Sequence, residues 1–116
     1  MDFRSEILAR ISVMEGDSIL PGLVSRVGDH VIQLDCKERG SAEAVLLRFS
    51  PEGVTEAADA GEPSLRVSGP AWAWSALLAR QMPYIAAING YHGGLTVSGN
   101  AVVGAWLTPA LSRVFA

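Results

Sequence analysis

Few residues in this sequence could do chemistry, and their spacing argues against it. His92-Gly93-Gly94 has the composition of an oxyanion loop, but no G-x-S-x-G elbow exists to expose a serine nucleophile. A flexible glycine turn before a strand accounts for it better. Gly90–Gly94 also lacks the Lys-Ser/Thr pair that a phosphate loop needs. His30 and His92 have no histidine or cysteine three or four residues away, and one cysteine cannot complete a zinc site. His30 reads as a strand-entry residue in solvent. Cys36 alternates with Ile32 and Leu34, which makes it a small buried hydrophobe rather than a nucleophile. Glu52, Glu56, Asp59 and Glu62 read as a solvated acidic rim that discourages strand pairing. Arg48 and Arg66 alternate with apolar neighbours and could meet an anionic group, although an exposed strand face explains both. No catalytic residue, metal or cofactor is expected.

Composition points the same way. The 116 residues suffice for one domain spanning 1–116. Nine Lys+Arg against 12 Asp+Glu give a net charge of −3, which argues against phosphate-driven nucleic-acid binding. The lone cysteine excludes a disulfide scaffold. No cationic segment precedes an apolar stretch with a cleavage site, and no apolar run approaches the ~20 residues that span a bilayer. The expectation is a cytoplasmic protein with no membrane span. With Tyr left out and the 12 Gly counted, about 58% of the chain is apolar against the usual ~45–50%, and even after discounting Ala and Gly this suggests more greasy surface than a plain core requires.

The elements that must position any site follow from periodicity. Phe3, Ile7, Leu8, Ile11 and Met14 share one helical face. A second, short helix follows Asp17, with Pro21 in its first turn and Gly28 as its stop. The period then drops to two over His30–Lys37 and again over Ala42–Phe49, around a turn at Glu38-Arg39-Gly40-Ser41. Val54–Asp59 is expected as a weaker edge strand after the turn Ser50-Pro51-Glu52-Gly53. A strand at Ser64–Ser68 leads through Gly69-Pro70 into a helix over about Ala71–Arg80. Pro83 opens another short helix that ends at Asn89-Gly90. Gly94–Ser98 is the last strand, and Asn100 caps a final helix that Pro109 must kink or interrupt.

Three stretches in this order resemble the sterol carrier protein type two family, the non-specific lipid-transfer proteins. They are Pro63-Ser64-Leu65-Arg66-Val67-Ser68-Gly69-Pro70, Ala76-Leu77-Leu78-Ala79-Arg80-Gln81-Met82-Pro83 and Gly94-Leu95-Thr96-Val97-Ser98-Gly99-Asn100. The hairpins from His30 to Asp59 match the family's three-stranded meander. The chain departs from the family at Ala79-Arg80, where the family often has glycine, and at Tyr91-His92-Gly93, a small insertion. The resemblance implies an α+β fold: a mixed, mainly antiparallel five-stranded sheet, helices covering one face, and an apolar tunnel between sheet and helices.

It also implies an apolar ligand, fatty acid, fatty acyl-CoA or sterol-like lipid, bound without chemistry. The final helix is apolar on more than one side, so it must be covered on more than one face. Phe49, Trp72, Trp74, Leu77, Leu78, Ile85, Ile88, Val103, Trp106 and Leu107 are the expected ligand-lining residues. The competing role for the same greasy surface is an accessory or dimerisation module, possible as a homodimer, for an enzyme of lipid, quinone or steroid metabolism. An enzyme acting on an acyl substrate would need a nucleophile–base pair that the sequence does not offer.

Overall fold

The computed structural model describes residues 2–57, 61–89 and 93–116. Its first helix, α1 (Phe3–Val13), begins where the Asp2 carboxylate accepts the Ser5 N–H at 3.2 Å and the Ser5 hydroxyl at 2.8 Å. Phe3, Ile7 and Ile11 recur at helical spacing and are buried. Helix α2 (Leu20–Ser25) follows a loop in which Asp17 Oδ2 accepts the Leu20 N–H at 2.9 Å. Gly28 then takes a φ of +80°, which turns the chain into the sheet.

Five strands follow: β1 (His30–Glu38), β2 (Ser41–Ser50), β3 (Gly53–Glu56), β4 (Leu65–Pro70) and β5 (Thr96–Gly99). They lie in the order β3-β2-β1-β4-β5. β1 runs antiparallel to β2 and parallel to β4, so Leu34 faces Val45 on one side and Val67 on the other. β2–β3 and β4–β5 are antiparallel. The mixed, mainly antiparallel sheet is the one the resemblance implies.

Strand alternation divides the sheet cleanly. Ile32, Leu34, Cys36, Val45, Leu47, Phe49, Leu65 and Val67 are buried on one face. Helices α1, α3 (Ala71–Leu78) and α5 (Ala101–Val114) cover that face, with α4 (Tyr84–Ala87) packed on α3 and α5. The opposite face stays open. There Asp35 accepts from Gln33 Nε2 at 2.8 Å and from Ser68 Oγ at 3.1 Å. Arg48 and Arg66 stand exposed on this open face, turned away from the helices, as ordinary strand-face arginines.

The closing segment from Gly94 to Asn100 has a specific physical logic. Gly99 takes a φ of +112°, and a Cβ there would lie 2.6 Å from the Ser64 carbonyl oxygen. That same oxygen accepts the Asn100 N–H at 3.0 Å, so strand and helix can join only through a residue without a side chain. Asn100 Oδ1 then accepts the N–H groups of Val102 and Val103, capping α5.

Several expectations need correcting. The edge strand ends at Glu56 rather than Asp59, which lies outside the described residues. β4 runs on through Pro70, and β5 starts at Thr96 because the Leu95 N–H goes to the Ala87 carbonyl, not to a neighbouring strand. α3 stops at Leu78, since Arg80 adopts a left-handed φ of 59° while the Gln81 N–H closes back on the Ala76 carbonyl. Pro109 does not interrupt α5. It sits on the helix's exposed side, where the hydrogen bond it cannot make leaves a carbonyl to solvent. His30 is no solvated residue either: its ring bridges Ser64 Oγ at 2.9 Å and the Val27 carbonyl at 3.0 Å.

Candidate functional site

Aromatic rings fill the space between helices and sheet. Phe3 of α1 meets Trp74 of α3 with centroids 5.0 Å apart, Trp74 meets Phe115 at 6.1 Å, and Phe115 stacks on Tyr84 at 6.2 Å. The Trp74 indole N–H also donates to the Asp35 carbonyl at 2.9 Å, tying α3 to β1. Phe49, Trp74, Leu77, Val103 and Leu107 are all buried in this packed interior. Leu78 and Ile88 are half-buried against it. Trp72, Ile85 and Trp106 lie at 59%, 65% and 50% exposure on the outside of the helical layer. The ten expected ligand-lining residues thus divide between the packed core and the surface.

Open apolar space lies elsewhere. A cleft of about 550 Å³ runs between α1, the α1–α2 loop and the β2–β3 hairpin. Its apolar wall is Leu8, Ile11, Met14, Leu20, Pro21 and Val54, and its rim carries Ser12, Glu15, Asp17, Glu52, Thr55 and Glu56. The volume falls within the ~300–1,000 Å³ common for small-molecule sites. Val54 pairs across the hairpin with Phe49, which is buried and is not among the residues that line the cleft. A second cleft of about 280 Å³ lies between β4, β5 and α5, lined by Leu65, Ile88, Val97, Gly104 and Ala105 among others. Gly104 keeps α5 close to the sheet there: a Cβ would come within 3.2 Å of Leu65 Cδ1.

Ion pairs hold the first cleft's two ends. Arg4 Nε and Nη2 reach Glu56 at 2.9 and 2.7 Å, and Glu56 is therefore a bridged residue rather than a free rim charge. The Arg4 guanidinium is held above its ordinary pKa by that hydrogen bond. Arg113 of α5 grips Asp17 in the same two-pronged way, and its hydrogen bond keeps the Asp17 carboxyl below the usual range.

Burial pushes the Cys36 thiol up, with Glu38 and Glu43 adding to the effect, so it is a poor thiolate. Burial likewise raises the Tyr84 phenol. Gly90, Tyr91 and His92 lie outside the described residues. No helix among the described residues is long and apolar enough to cross a membrane.

Sequence reasoning did not single out the first cleft. The available signal was the width of the apolar face on α1. Leu8 and Met14 widen the stripe beyond the buried Phe3, Ile7 and Ile11; both are partly buried against the core and also line the cleft.

Comparison with known proteins places this geometry. The sequence model of the SCP-2 sterol transfer family matches residues 11–112. A crystal structure of sterol carrier protein 2 superposes with a TM-score of 0.71 at 12% identity, covering 99% of this chain and 97% of that one. The solution structure of palmitated SCP2L2 from Aedes aegypti gives 0.68 at 20% identity, covering 92% of each chain. UbiJ-SCP2, a ubiquinone synthesis protein, gives 0.64 at 21% identity over 96% of this chain and 89% of that one. At these identities the likeness establishes the fold. No curated protein matches by sequence.

Proposed function

Since this chain belongs to the SCP-2 sterol transfer family, we propose that it binds a long apolar ligand, without chemistry, in the cleft between α1, α2 and the β2–β3 hairpin. The observation that carries the reading is that cleft: a wall of aliphatic side chains with room for an alkyl chain. Burying an acyl chain gains about 0.8 kcal/mol per methylene, which leaves a surplus for a long chain after ordering costs. The binding is non-directional, so it tolerates many tails. The palmitated state of the Aedes aegypti neighbour supports an acyl tail as one of them. A ligand seated here would put its tail end toward Phe49. Trp74, Leu77, Val103 and Leu107 would line it further in only where the aromatic core opens.

The test is gentle mass spectrometry of the freshly purified native protein, with solvent extraction of whatever leaves with it. A discrete added mass identifiable as a lipid is expected. It should be lost in Ser12→Trp, which places a ring over the cleft from an exposed position on α1. An apo mass with no uptake of added lipid would sink the reading.

A second reading keeps the fold and changes the role. Trp72, Ile85, Val102 and Trp106 expose large apolar surfaces, as a module serving a partner protein would. The ubiquinone synthesis protein among the structural neighbours supports this alternative. An apo, dimeric or partner-bound species in the same experiment would favour it.

A further inference from the structure

The rim of the α1–β3 cleft is one-signed. Glu15, Asp17, Glu52 and Glu56 stand around it, and no lysine, arginine or histidine is among the residues that line it. Arg4 compensates Glu56 and Arg113 compensates Asp17. Glu15 and Glu52 have no ion-pair partner among the described residues, and both are exposed at the mouth. The C-terminal end of α1 opens onto the same mouth, and the carbonyl end of a helix adds negative potential there. An apolar cleft with such a mouth discriminates by head group even though its floor does not discriminate by tail.

Resting on the reading of this cleft as the lipid site, we propose that it prefers a long-chain amphiphile with a cationic head, an alkylammonium, over the carboxylate of the same chain length. The ammonium would lie between Glu15 and Glu52 while the alkyl chain lies along Leu8, Ile11, Met14 and Val54. A neutral alcohol of that length falls between the two, because it neither gains nor loses at the mouth. The exposed position of both carboxylates keeps the effect modest and makes it depend on salt.

The experiment is calorimetric titration of the full chain with decylamine, decanol and decanoate at pH 7. At about 10 mM salt, where charges act over ~30 Å, decylamine should bind about three- to tenfold more tightly than decanol, and decanoate weaker than decanol by a similar factor. At about 1 M salt, where the range falls to ~3 Å, the three should converge. The double substitution Glu15→Gln, Glu52→Gln should also bring them together. Decanoate binding as tightly as decylamine, or an order indifferent to the double substitution, overturns the head-group preference and leaves lipid binding standing. Amine binding that survives Ser12→Trp also overturns it, since the amine is then held elsewhere. No binding of any of the three removes the cleft as a lipid site and the preference with it.

Discussion

Asp17 and Arg113, 96 residues apart in sequence, form a two-pronged ion pair with Nη2 2.7 Å from Oδ1 and Nε 3.2 Å from Oδ2. The pair joins the loop at the cleft's mouth to the last helix, and Asp17 Oδ2 also accepts the Leu20 N–H that opens α2. One carboxylate thus fixes three segments.

Its pH dependence follows from the sign of the shift. The hydrogen bond from Arg113 lowers the folded-state pKa of Asp17. The stability it contributes is therefore complete above the unfolded carboxylate value of ~3.9 and is lost as pH falls through the folded value. Asp17→Asn should lower the thermal unfolding midpoint at neutral pH. Its difference from the parent should shrink as pH drops below about 4. Parallel curves over that range would show that the pair carries no charge-linked stability.

The Trp74 indole gives a second test. Its N–H donates to the Asp35 carbonyl, and its ring lies between Phe3 and Phe115. Trp74→Phe keeps an aromatic ring and removes the donor, which should cost about 1–3 kcal/mol in urea unfolding. Trp72→Phe, on the exposed side of the same helix, should stay within ~0.5 kcal/mol. Equal effects at both positions would deny Trp74 its role as the anchor of α3.

Glycines at positive φ separate turn chemistry from close approach. Gly40 has a φ of +77° with open space around it, so Gly40→Ala should cost only the left-handed penalty of about 1–2 kcal/mol. Gly99→Ala combines a φ of +112° with a Cβ 2.6 Å from the Ser64 oxygen. Backbone strain and overpacking together should bring its cost to about 2–5 kcal/mol. Denaturant midpoints measured side by side decide it, and a Gly99→Ala protein as stable as Gly40→Ala would refute the close-approach argument.

Much of this fold was legible because local rules govern it. Period-two alternation in Ile32-Leu34-Cys36 and Val45-Leu47-Phe49 named the buried sheet face, and the helical spacing of Phe3, Ile7 and Ile11 named the face of α1. Asn100 announced a helix cap. Element ends were less legible. Arg80 ends α3 through a backbone conformation that its residue type does not advertise, and Pro109 is tolerated only because its side of α5 meets solvent.

The sequence by itself determined the class of element at each stretch, the apolar character of the chain and the absence of a nucleophile–base pattern, since each depends on residue type and near spacing. Only tertiary structure decided which apolar residues surround empty space. Trp74, Leu77 and Leu107 are as greasy as Leu8, Met14 and Val54, yet the first set is packed against Phe3 and Phe115 or their neighbours while the second borders a cleft. Hydrophobicity is a property of a side chain; a cavity is a property of how several elements fail to fill the volume between them. The one-signed mouth arises the same way, because Glu15 and Glu52 are 37 positions apart in the sequence and line one cleft only in the folded chain.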